Sequence, residues 1–335
     1  MKVIVDAFGG DNAPLEVIRG AAQAVEAYGH DIVLTGDEAQ IRKVAADNGI
    51  SLHKMDIIHA PDVIGMDDEP RSILKEHKEC SMAEGLRQLA AGNGDAFVTA
   101  GSTGAMIMGS TFIVKRIKGV SRAALAPLMP SNKGPFMLID SGANVDCRPE
   151  MLLQFAKMGS LYMQSVMGRD VSVGLINIGV EDCKGGALQH EAFALLKDSG
   201  LNFVGNVEAR DIPFGTADVL VADGFTGNVV LKMMEGVTDA LLKNIKEIFM
   251  TNTKTKLAAL MVKPQLAGFK KKMDTSEYGG APLLGGSKPV IKTHGNSKAP
   301  AIQHAIRVAA TFAEEGVIDK ITEAVKQNPT QQEAE

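Results

Sequence analysis

The sequence predicts an α/β fold with a mainly parallel sheet and helices on both of its faces. Short apolar runs, such as residues 3–5 and 219–222, are typical of strands that are buried on both faces. A turn rich in Gly, Asn and Asp follows each run, and apolar residues then recur at helical spacing. Strands that alternate with helices indicate parallel βαβ units. We therefore expect a Rossmann-like three-layer αβα sandwich.

The elements are expected in a regular order. Apolar spacing predicts helices at about 39–48, 71–91 and 300–315. A helical hairpin at 240–275 is expected to protrude from an α/β domain of residues 1–325, which forms one unit or two coupled lobes. The polar tail, 326–335, is expected to fray. The predicted strands are 3–6, 32–35, 56–59, 96–99, 137–140, 173–178, 203–204 and 219–222, with a last strand that begins at 290.

The composition argues against several classes of function. The chain has 335 residues, a net charge of −5, 4% aromatic residues and no Trp, which argues against a nucleic-acid partner. Cys80, Cys147 and Cys183 form no close pair, which favours a reducing cytoplasm over disulfides or a zinc site. The sequence begins with a predicted strand, so we expect no signal peptide. No apolar run approaches the length of a membrane span.

The turns after the strands predict an anion site. In open parallel sheets, ligands bind at the carboxyl ends of the strands. A glycine-rich turn before a helix directs backbone N–H groups to one point, and the helix dipole favours negative charge there. For the turn at 223–228 alone, an ordinary connection capped by Thr226 or Asn228 is the alternative. Repetition of the same chemistry favours a functional cleft, because similar turns occur at 7–14, 100–105, 141–146, 179–185 and 205–211.

Familiar catalytic motifs are absent from the sequence. It contains no Walker A motif, no dinucleotide fingerprint, no serine-hydrolase elbow and no HExxH pair. Ser102 is therefore interpreted as a helix cap or an anion ligand, and His294 as either structural or directly involved. Asp6, Asp140 and Asp223 end predicted strands, where they either bind a metal or, as we expect, cap helices and brace loops. We predict no metal.

Two cations in these turns are candidates for catalysis. Lys184 is either a solvated surface lysine or a point charge on a phosphate or a developing oxyanion. Arg210 is either a bidentate anion ligand or a brace of its own loop against Glu208 or Asp211.

Two basic regions are candidates for surface contacts. No acidic residue lies between Thr251 and Met273, where six lysines alternate with apolar residues that include Leu257, Leu260, Met261 and Val262. Such a segment is typical of a membrane-surface or partner-binding element, and the alternative is a hairpin whose apolar face meets a second subunit. The second region, which is either a docking surface or a solvated face, contains Lys115, Arg116, Lys118 and Arg122.

Six of the segments together resemble one known family. It is the phosphate acyltransferase family of bacterial phospholipid synthesis, the acyl-[acyl carrier protein]:phosphate acyltransferases (PlsX). The chain departs from the family pattern at Phe8, where methionine is frequent, and at Ser102, where asparagine is common. The match follows the family's order from Met1 to about Val317, in the segments 5–14, 100–105, 140–146, 205–211, 223–228 and 278–281.

The resemblance implies that an acyl chain moves from a carrier-protein thioester to inorganic phosphate. The acyl phosphate would then serve a membrane-bound glycerol-3-phosphate acyltransferase. The resemblance also implies a fold related to phosphotransacetylases and to isocitrate and isopropylmalate dehydrogenases. It further implies a homodimer. We expect no cofactor, and we expect the protein to be cytoplasmic and peripherally associated with the inner face of the plasma membrane. Phosphate is itself a nucleophile and a thiolate leaves readily, so the enzyme needs to bind, orient and stabilise charge.

These expectations assign roles to particular residues. We expect Lys184, Asn228 and His294 to be catalytic. Lys115, Arg116 and Lys118 are candidates for docking the acidic carrier protein, and the apolar residues at 257–262 for contact with a membrane or a partner. Phosphate or substrate binding is expected at Asp6, Gly9, Gly10, Gly101, Ser102, Thr103, Gly104, Asn144, Arg210, Asp223, Gly224, Thr226 and Gly227.

Two other functions remain open. A phosphotransacetylase that acts on short acyl-CoA would use the same kind of fold and would differ only in its acyl donor. A non-catalytic membrane scaffold would use the basic segment, although a scaffold has no need of glycine-rich turns. Hydride transfer is less favoured, because nothing resembles a nicotinamide fingerprint.

Overall fold

The computed structural model describes residues 1–273 and 275–327. Its strands are short and most of them are buried along their whole length. They are β1 (Lys2–Asp6), β2 (Asp31–Gly36), β3 (Met55–His59), β4 (Ala96–Thr99), β5 (Ala124–Leu125), β6 (Leu128–Met129), β7 (Phe136–Ile139), β8 (Val173–Asn177), β9 (Phe203–Glu208), β10 (Val219–Val221), β11 (Ala281–Leu284) and β12 (Val290–Lys292).

Helices connect most of the parallel strands. They are α1 (Leu15–Tyr28), α2 (Glu38–Asp47), α3 (Ser81–Ala90), α4 (Thr103–Gly109), α5 (Pro149–Met167), α6 (Ala187–Lys197), α7 (Gly224–Met250), α8 (Thr253–Met273), α9 (Ala299–Glu314) and α10 (Val317–Gln327). A π-helical turn (Ser110–Val114) continues α4, and 3-10 turns lie at Pro70–Leu74, Ala209–Phe214 and Thr275–Tyr278.

The strands form two sheets. The first sheet has the order β3-β2-β1-β4-β12-β11-β5, and its five strands from β3 to β12 are parallel. The second sheet has the order β6-β7-β10-β8-β9, and β7, β10, β8 and β9 are parallel. β5 pairs antiparallel with β11 in the first sheet, and β6 pairs antiparallel with β7 in the second. The chain therefore passes from one sheet to the other at residues 126–127.

Helices cover both faces of the first sheet. Val3 and Val5 belong to the same apolar cluster as residues of α1 and α9, whereas Ile4 packs on the opposite face with α3. The first of these clusters continues beneath the second sheet, where it includes Ile139, Val219 and residues of α5. The two sheets therefore share one continuous apolar core.

The predicted α/β fold with mostly parallel strands is confirmed, but the expectation of one sheet was wrong. The turns expected along one sheet edge are divided between two sheets. The ends of β1, β4 and β12 carry the turns of the first sheet, and the ends of β7, β8, β9 and β10 carry those of the second. Separate edge strands, β5 and β6, are too short to show a period in the sequence.

The prediction of a continuous helix at 71–91 was also wrong. A 3-10 turn ends at Leu74, and α3 begins only at Ser81, with the Cys80 sulfur as an acceptor for the Ala83 N–H group. His77 Nδ1 lies 2.7 Å from Asp62 Oδ2 and the Ser81 hydroxyl donates to Asp6, 2.6 Å away. These tertiary contacts hold the chain out of helical geometry between the two segments.

α7 and α8 form the expected protruding hairpin. α8 has no buried side chain, and Leu260 and Met261 are 66% and 81% exposed. The lysines are distributed along the length of α8. Lys254 lies near the tip of the hairpin, and Lys272 Nζ reaches the Asn132 carbonyl at its base. None of the described helices is both long and apolar enough to cross a membrane. The predicted polar tail lies outside the described residues from position 328 onward.

Candidate active site

Three loops at the ends of β1, β4 and β12 interlock on the first sheet. The Asp11 N–H group donates to the Gly295 carbonyl at 2.7 Å, and the Asn12 amide donates to the Asn296 carbonyl at 2.9 Å. Gly10 has a φ of +98°, and an added Cβ there would lie 2.7 Å from the Gly295 oxygen and 2.9 Å from Ala100. Only glycine combines this conformation with such close approach. The loops are therefore fixed relative to one another.

Asp6 lies beneath these loops and is 1% exposed. Its carboxylate accepts hydrogen bonds from the hydroxyls of Ser81 and Thr99, at 2.6 and 2.7 Å, and from the Phe8 N–H group. Burial raises the pKa of Asp6, although these hydrogen bonds act in the opposite direction. Thr99 in turn accepts from the Gly101 N–H group at 2.9 Å. The geometry fits the bracing alternative, because the carboxylate is already occupied by protein donors.

Lys292 is a buried cation beneath these loops that sequence analysis did not single out. It ends β12, is 7% exposed, and donates from Nζ to the Ala100 carbonyl at 3.2 Å and to the Thr293 carbonyl. Burial lowers its pKa to about 8, while Asp6 and Asp11 favour the charged form and Lys232 opposes it. The sequence feature that could have identified it is its position directly after the apolar pair Val290 and Ile291 in a predicted buried strand.

On the second sheet, Asp140 organises the loop after β7. Its carboxylate accepts from the N–H groups of Leu125, Ala143 and Asn144, at 2.9, 3.1 and 2.6 Å. Burial raises the pKa of Asp140 against the effect of these hydrogen bonds. The Asn144 amide also donates to the Ala123 carbonyl, 2.8 Å away. Asn144 is therefore held as part of the loop scaffold.

The start of α7 is packed tightly against this loop. An added Cβ on Gly227 would lie 1.9 Å from the Asp140 carbonyl oxygen, and one on Gly224 would lie 2.5 Å from the Asn144 oxygen. The cap of α7 is Asp223, which accepts from the Thr226 N–H group at 2.9 Å and from its hydroxyl at 2.8 Å. The suggested cap by Thr226 or Asn228 was therefore wrong.

This packing occupies several N–H groups that the sequence suggested for an anion. Gly224 donates to the Asn144 carbonyl at 2.7 Å, and Gly227 donates to the Asp223 carbonyl at 2.9 Å. The exposed polar group at the start of α7 is the carboxamide of Asn228. An added Cβ on Gly142 would lie 3.6 Å from this carboxamide, so Asn228 faces the loop after β7.

Two buried asparagines hold the loop that carries Lys184. Asn177 donates to the Lys184 carbonyl at 2.9 Å and to the Asn206 side-chain oxygen at 3.1 Å. Asn206 donates to the Glu181 carbonyl at 2.9 Å. The Lys184 side chain itself is exposed. The loop is thus fixed at both of its ends while its lysine remains accessible.

Arg210 braces its own loop, which is the second of the two roles that the sequence suggested for it. Its guanidinium lies 2.7 Å from the Glu208 carboxylate and 4.0 Å from that of Asp211, and its side chain is 79% exposed. It follows β9, the edge strand of the second sheet.

The two sheets meet in a cleft beside His294. His294 Nε2 lies 3.1 Å from Glu235 Oε1, and Lys232 Nζ lies 2.9 Å from Glu235 Oε2. Burial acts to raise the pKa of Glu235, but the contacts with His294 and Lys232 lower it overall. A cavity of about 490 Å³ opens here, with walls that include Met129, Met234, Leu242, Met273, His294 and Lys298.

The structure thus groups the predicted residues by sheet. Gly9, Gly10, Gly101 and Ser102 lie in the interlocked loops of the first sheet, where Ser102 accepts from the Ala105 N–H group as the cap of α4. Thr103 and Gly104 begin α4, and the residues from Asp223 to Asn228 belong to the second sheet. Lys115, Arg116 and Lys118 lie elsewhere, next to the connection between β11 and β12, where Ser287 donates to the Lys115 carbonyl at 3.0 Å and Arg116 donates to Ser121.

Comparison with solved structures defines the class of fold. The chain is similar to a phosphotransacetylase from Streptococcus pyogenes, with a TM-score of 0.63 at 17% identity over 94% of each chain. It is also similar to a putative 4-hydroxythreonine-4-phosphate dehydrogenase from Salmonella typhimurium, with a TM-score of 0.54 at 10% identity over 93% of this chain and 99% of that one. The fold is therefore the α/β fold shared by phosphotransacetylases and a group of dehydrogenases, as expected.

Comparison of sequences is more specific. Residues 1–320 match the family model described as fatty acid synthesis protein. The chain is 46% identical to a phosphate acyltransferase of Clostridium novyi over 98% of this chain and 99% of the relative. It is 44% identical to a phosphate acyltransferase of Clostridium acetobutylicum, again over 98% and 99% of the two chains. The protein is an acyltransferase. It belongs to the phosphate acyltransferase (PlsX) family, as the sequence motifs indicated.

Proposed function

We propose that this acyltransferase moves a long-chain fatty acyl group from an acyl-[acyl carrier protein] thioester to inorganic phosphate. The product, an acyl phosphate, would enter membrane phospholipid synthesis. The observation that carries the proposal is the cleft between the two sheets, in a chain of this family. The loop after β12 lines one side of it and α7 the other, and the contact between His294 and Glu235 joins the two sides.

The chemistry requires few specialised groups. A phosphate oxygen attacks the thioester carbonyl, the tetrahedral intermediate carries an oxyanion, and the C–S bond then breaks to release a thiolate that takes a proton from solvent. The enzyme must bind phosphate, align it and stabilise the oxyanion, and one such donor contributes about 2.7–4 kcal/mol in other acyl-transfer enzymes. We assign the oxyanion to Lys184 and Asn228, whose side chains are exposed.

Phosphate is assigned to the interlocked loops of the first sheet. The N–H groups of Thr103 and Gly104 lie in the first turn of α4, where a helix offers no intrahelical acceptor. His294, which lies in the loop after β12 and contacts Glu235, is assigned to the same anion. Asp6 and Asp140 then act from beneath, by fixing the loops rather than by touching phosphate.

Thiol release tests the reaction. A long-chain acyl carrier thioester is incubated with the protein, with and without inorganic phosphate, and the acyl product is trapped with hydroxylamine. We expect phosphate-dependent thiol release and a hydroxylamine-sensitive acyl phosphate. Activity with acetyl-CoA instead of the carrier thioester would favour the phosphotransacetylase alternative, which the shared fold supports. A folded protein without release from either donor would contradict both.

A homodimer is proposed from the surface of α7. Apolar side chains recur every four residues along it at Phe225, Val229, Met233 and Val237, and each is more than half exposed. A stripe of this kind is typical of a helix that packs against a partner. Analytical ultracentrifugation at micromolar concentration is expected to show a dimer, and a monomer at all concentrations would contradict this proposal.

Carrier-protein docking is proposed for the basic region at 115–122. Lys115 and Lys118 are exposed, and an acyl carrier protein is acidic. Reversal of both charges to Glu is expected to raise the KM for the acyl carrier and to weaken its dependence on salt. The same reversal at the exposed Lys43, on α2, serves as the control. Equal KM values for the two variants would exclude this surface.

A further inference from the structure

The strongest unexplained feature beneath the interlocked loops is the buried ammonium group of Lys292. Lysine is almost never fully buried without a partner, because removing its charge from water is costly. Lys292 is 7% exposed and ends a strand whose other residues are apolar. An apolar side chain of similar length would fill this position without the electrostatic cost. The fold alone therefore does not require a charge here, and the reaction as described does not use one.

The contacts of Lys292 are with two of the interlocked loops. Its Nζ donates to the Ala100 carbonyl at 3.2 Å, immediately before the Gly101–Gly104 segment, and to the Thr293 carbonyl, immediately before His294. The Thr293 N–H group donates to the Thr99 carbonyl at 2.9 Å, so the two strand ends are also tied directly. A hydrogen bond to a carbonyl fixes the plane of its peptide. Lys292 thereby sets the direction in which both loops leave the sheet.

We propose that Lys292 is a positioning residue of the phosphate site. It holds the Ala100 and Thr293 carbonyls toward the interior, and its ammonium provides the buried positive charge that bound phosphate neutralises. This inference rests on the proposed function, which assigns phosphate to these loops. The chemistry concerned is recognition of an inorganic phosphate dianion by a preorganised loop with a fixed charge behind it.

The surrounding charges give this role a pH signature. Asp6 faces Lys292 from β1, Asp11 from the loop after β1, and Lys232 from α7, where Lys232 pairs with Glu235 and Glu235 with His294. Burial is the main cause of a pKa near 8 for Lys292. The free protein therefore loses this charge as pH rises through 8, and its affinity for phosphate should fall. The dianionic fraction of phosphate only increases over this range, so the loss cannot come from the ligand.

Isothermal titration calorimetry with inorganic phosphate alone tests the proposal. For the wild type, we expect the Kd for the phosphate dianion to rise about fivefold to tenfold between pH 7 and pH 9, because the charged fraction of a group with this pKa falls by about that factor. Lys292→Met is expected to bind phosphate about tenfold more weakly at pH 7, with no further loss at pH 9. Lys292→Arg keeps its charge throughout, so its Kd should not rise with pH. Lys288→Met, at an exposed lysine of the preceding loop, should match the wild type.

Several results would overturn the proposal. Wild-type affinity that does not fall between pH 7 and pH 9, a Lys292→Met variant that binds like the wild type, or a wild type without measurable phosphate binding would each do so. If Lys292→Met does not fold, as judged by circular dichroism, the pH dependence of phosphate binding by the wild type and by Lys292→Arg still tests the proposal. Calorimetry needs no acyl donor, so phosphate binding without acyl transfer would contradict the proposed function and leave this inference intact.

Discussion

The two ends of α7 are packed in opposite ways. At its start, Gly224 and Gly227 leave no space for a side chain against the loop after β7. Beyond Leu231, no side chain of α7 is fully buried, and none is buried along the whole length of α8. The contrast separates two tasks within one continuous element. Tight packing at the start fixes Asn228 beside the loop after β7, whereas the outer hairpin is stabilised mainly within itself and presents apolar side chains to its surroundings.

The largest effect on folding is expected for Gly227→Ala. Its Cβ would lie 1.9 Å from the Asp140 carbonyl oxygen, a backbone atom that cannot move without displacing the loop. Overpacking of this kind usually costs 1–3 kcal/mol, and we expect about 3 kcal/mol or more here. Urea unfolding measures the change. Gly268→Ala on α8 is the control, because an added Cβ meets nothing within 4 Å; it should be neutral or stabilising. Equal stability of the two variants would contradict the contrast between the two ends.

The next largest effect on stability is expected from the buried charge of Lys292 in the first sheet. The pKa of Lys292 falls from an ordinary value of 10.5 to about 8 on folding, so the folded protein binds fewer protons than the unfolded chain between these pH values. Stability contributed by this group therefore rises with pH across the window, by on the order of 3 kcal/mol. Unfolding of the wild type and Lys292→Met at pH 8 and pH 10 measures the difference. The stability of Lys288→Met should depend on pH in the same way as that of the wild type. The same pH dependence of unfolding for all three proteins would refute the assignment of this effect to Lys292.

A smaller effect, on turnover rather than folding, is expected at Lys184. Lys184→Ala should lower kcat at least tenfold, equivalent to about 1.4 kcal/mol of transition-state stabilisation, without loss of stability because the side chain is exposed. Lys43→Ala, at an exposed lysine on α2, is the control. Near-normal turnover of Lys184→Ala in the thiol-release assay would remove Lys184 from the mechanism.

Asn206 offers a second approach to the same loop. Asn206→Ala removes the hydrogen bond to the Glu181 carbonyl and the acceptor for Asn177, so it should lower kcat by loosening the position of Lys184. In a Lys184→Ala background, the same change should lower kcat no further. Additive losses would show that the two asparagines act through something other than Lys184.

The fold was predictable from the sequence because its strands are continuous apolar runs and its turns carry glycine and asparagine. The division into two sheets was not, since β5 and β6 are two-residue strands whose pairing depends on distant segments. In the site, the motifs identified the loops but not the direction of their polar groups. Asp140 and Asp223 take up donors that the turns suggested for an anion, and only the tertiary structure shows this. Lys292 was missed because its role depends on carbonyls from two separate strands.

The smallest effect on stability is expected midway along α8, where the consequence for the location of the protein should be large. Leu260→Asp combined with Met261→Asp removes apolar surface that is already 66% and 81% exposed, so the free energy of unfolding should change by less than about 0.5 kcal/mol. We expect the wild type to bind vesicles of anionic phospholipid and the double variant not to bind them, because such binding depends on buried apolar area together with charge attraction. Vesicle sedimentation measures it, with Lys43→Asp as a control for charge alone. A double variant that still sedimented with vesicles would contradict this role of the two side chains. The exposed side chains of the hairpin would then be expected to contact a protein partner, and the double variant should change turnover of the carrier thioester.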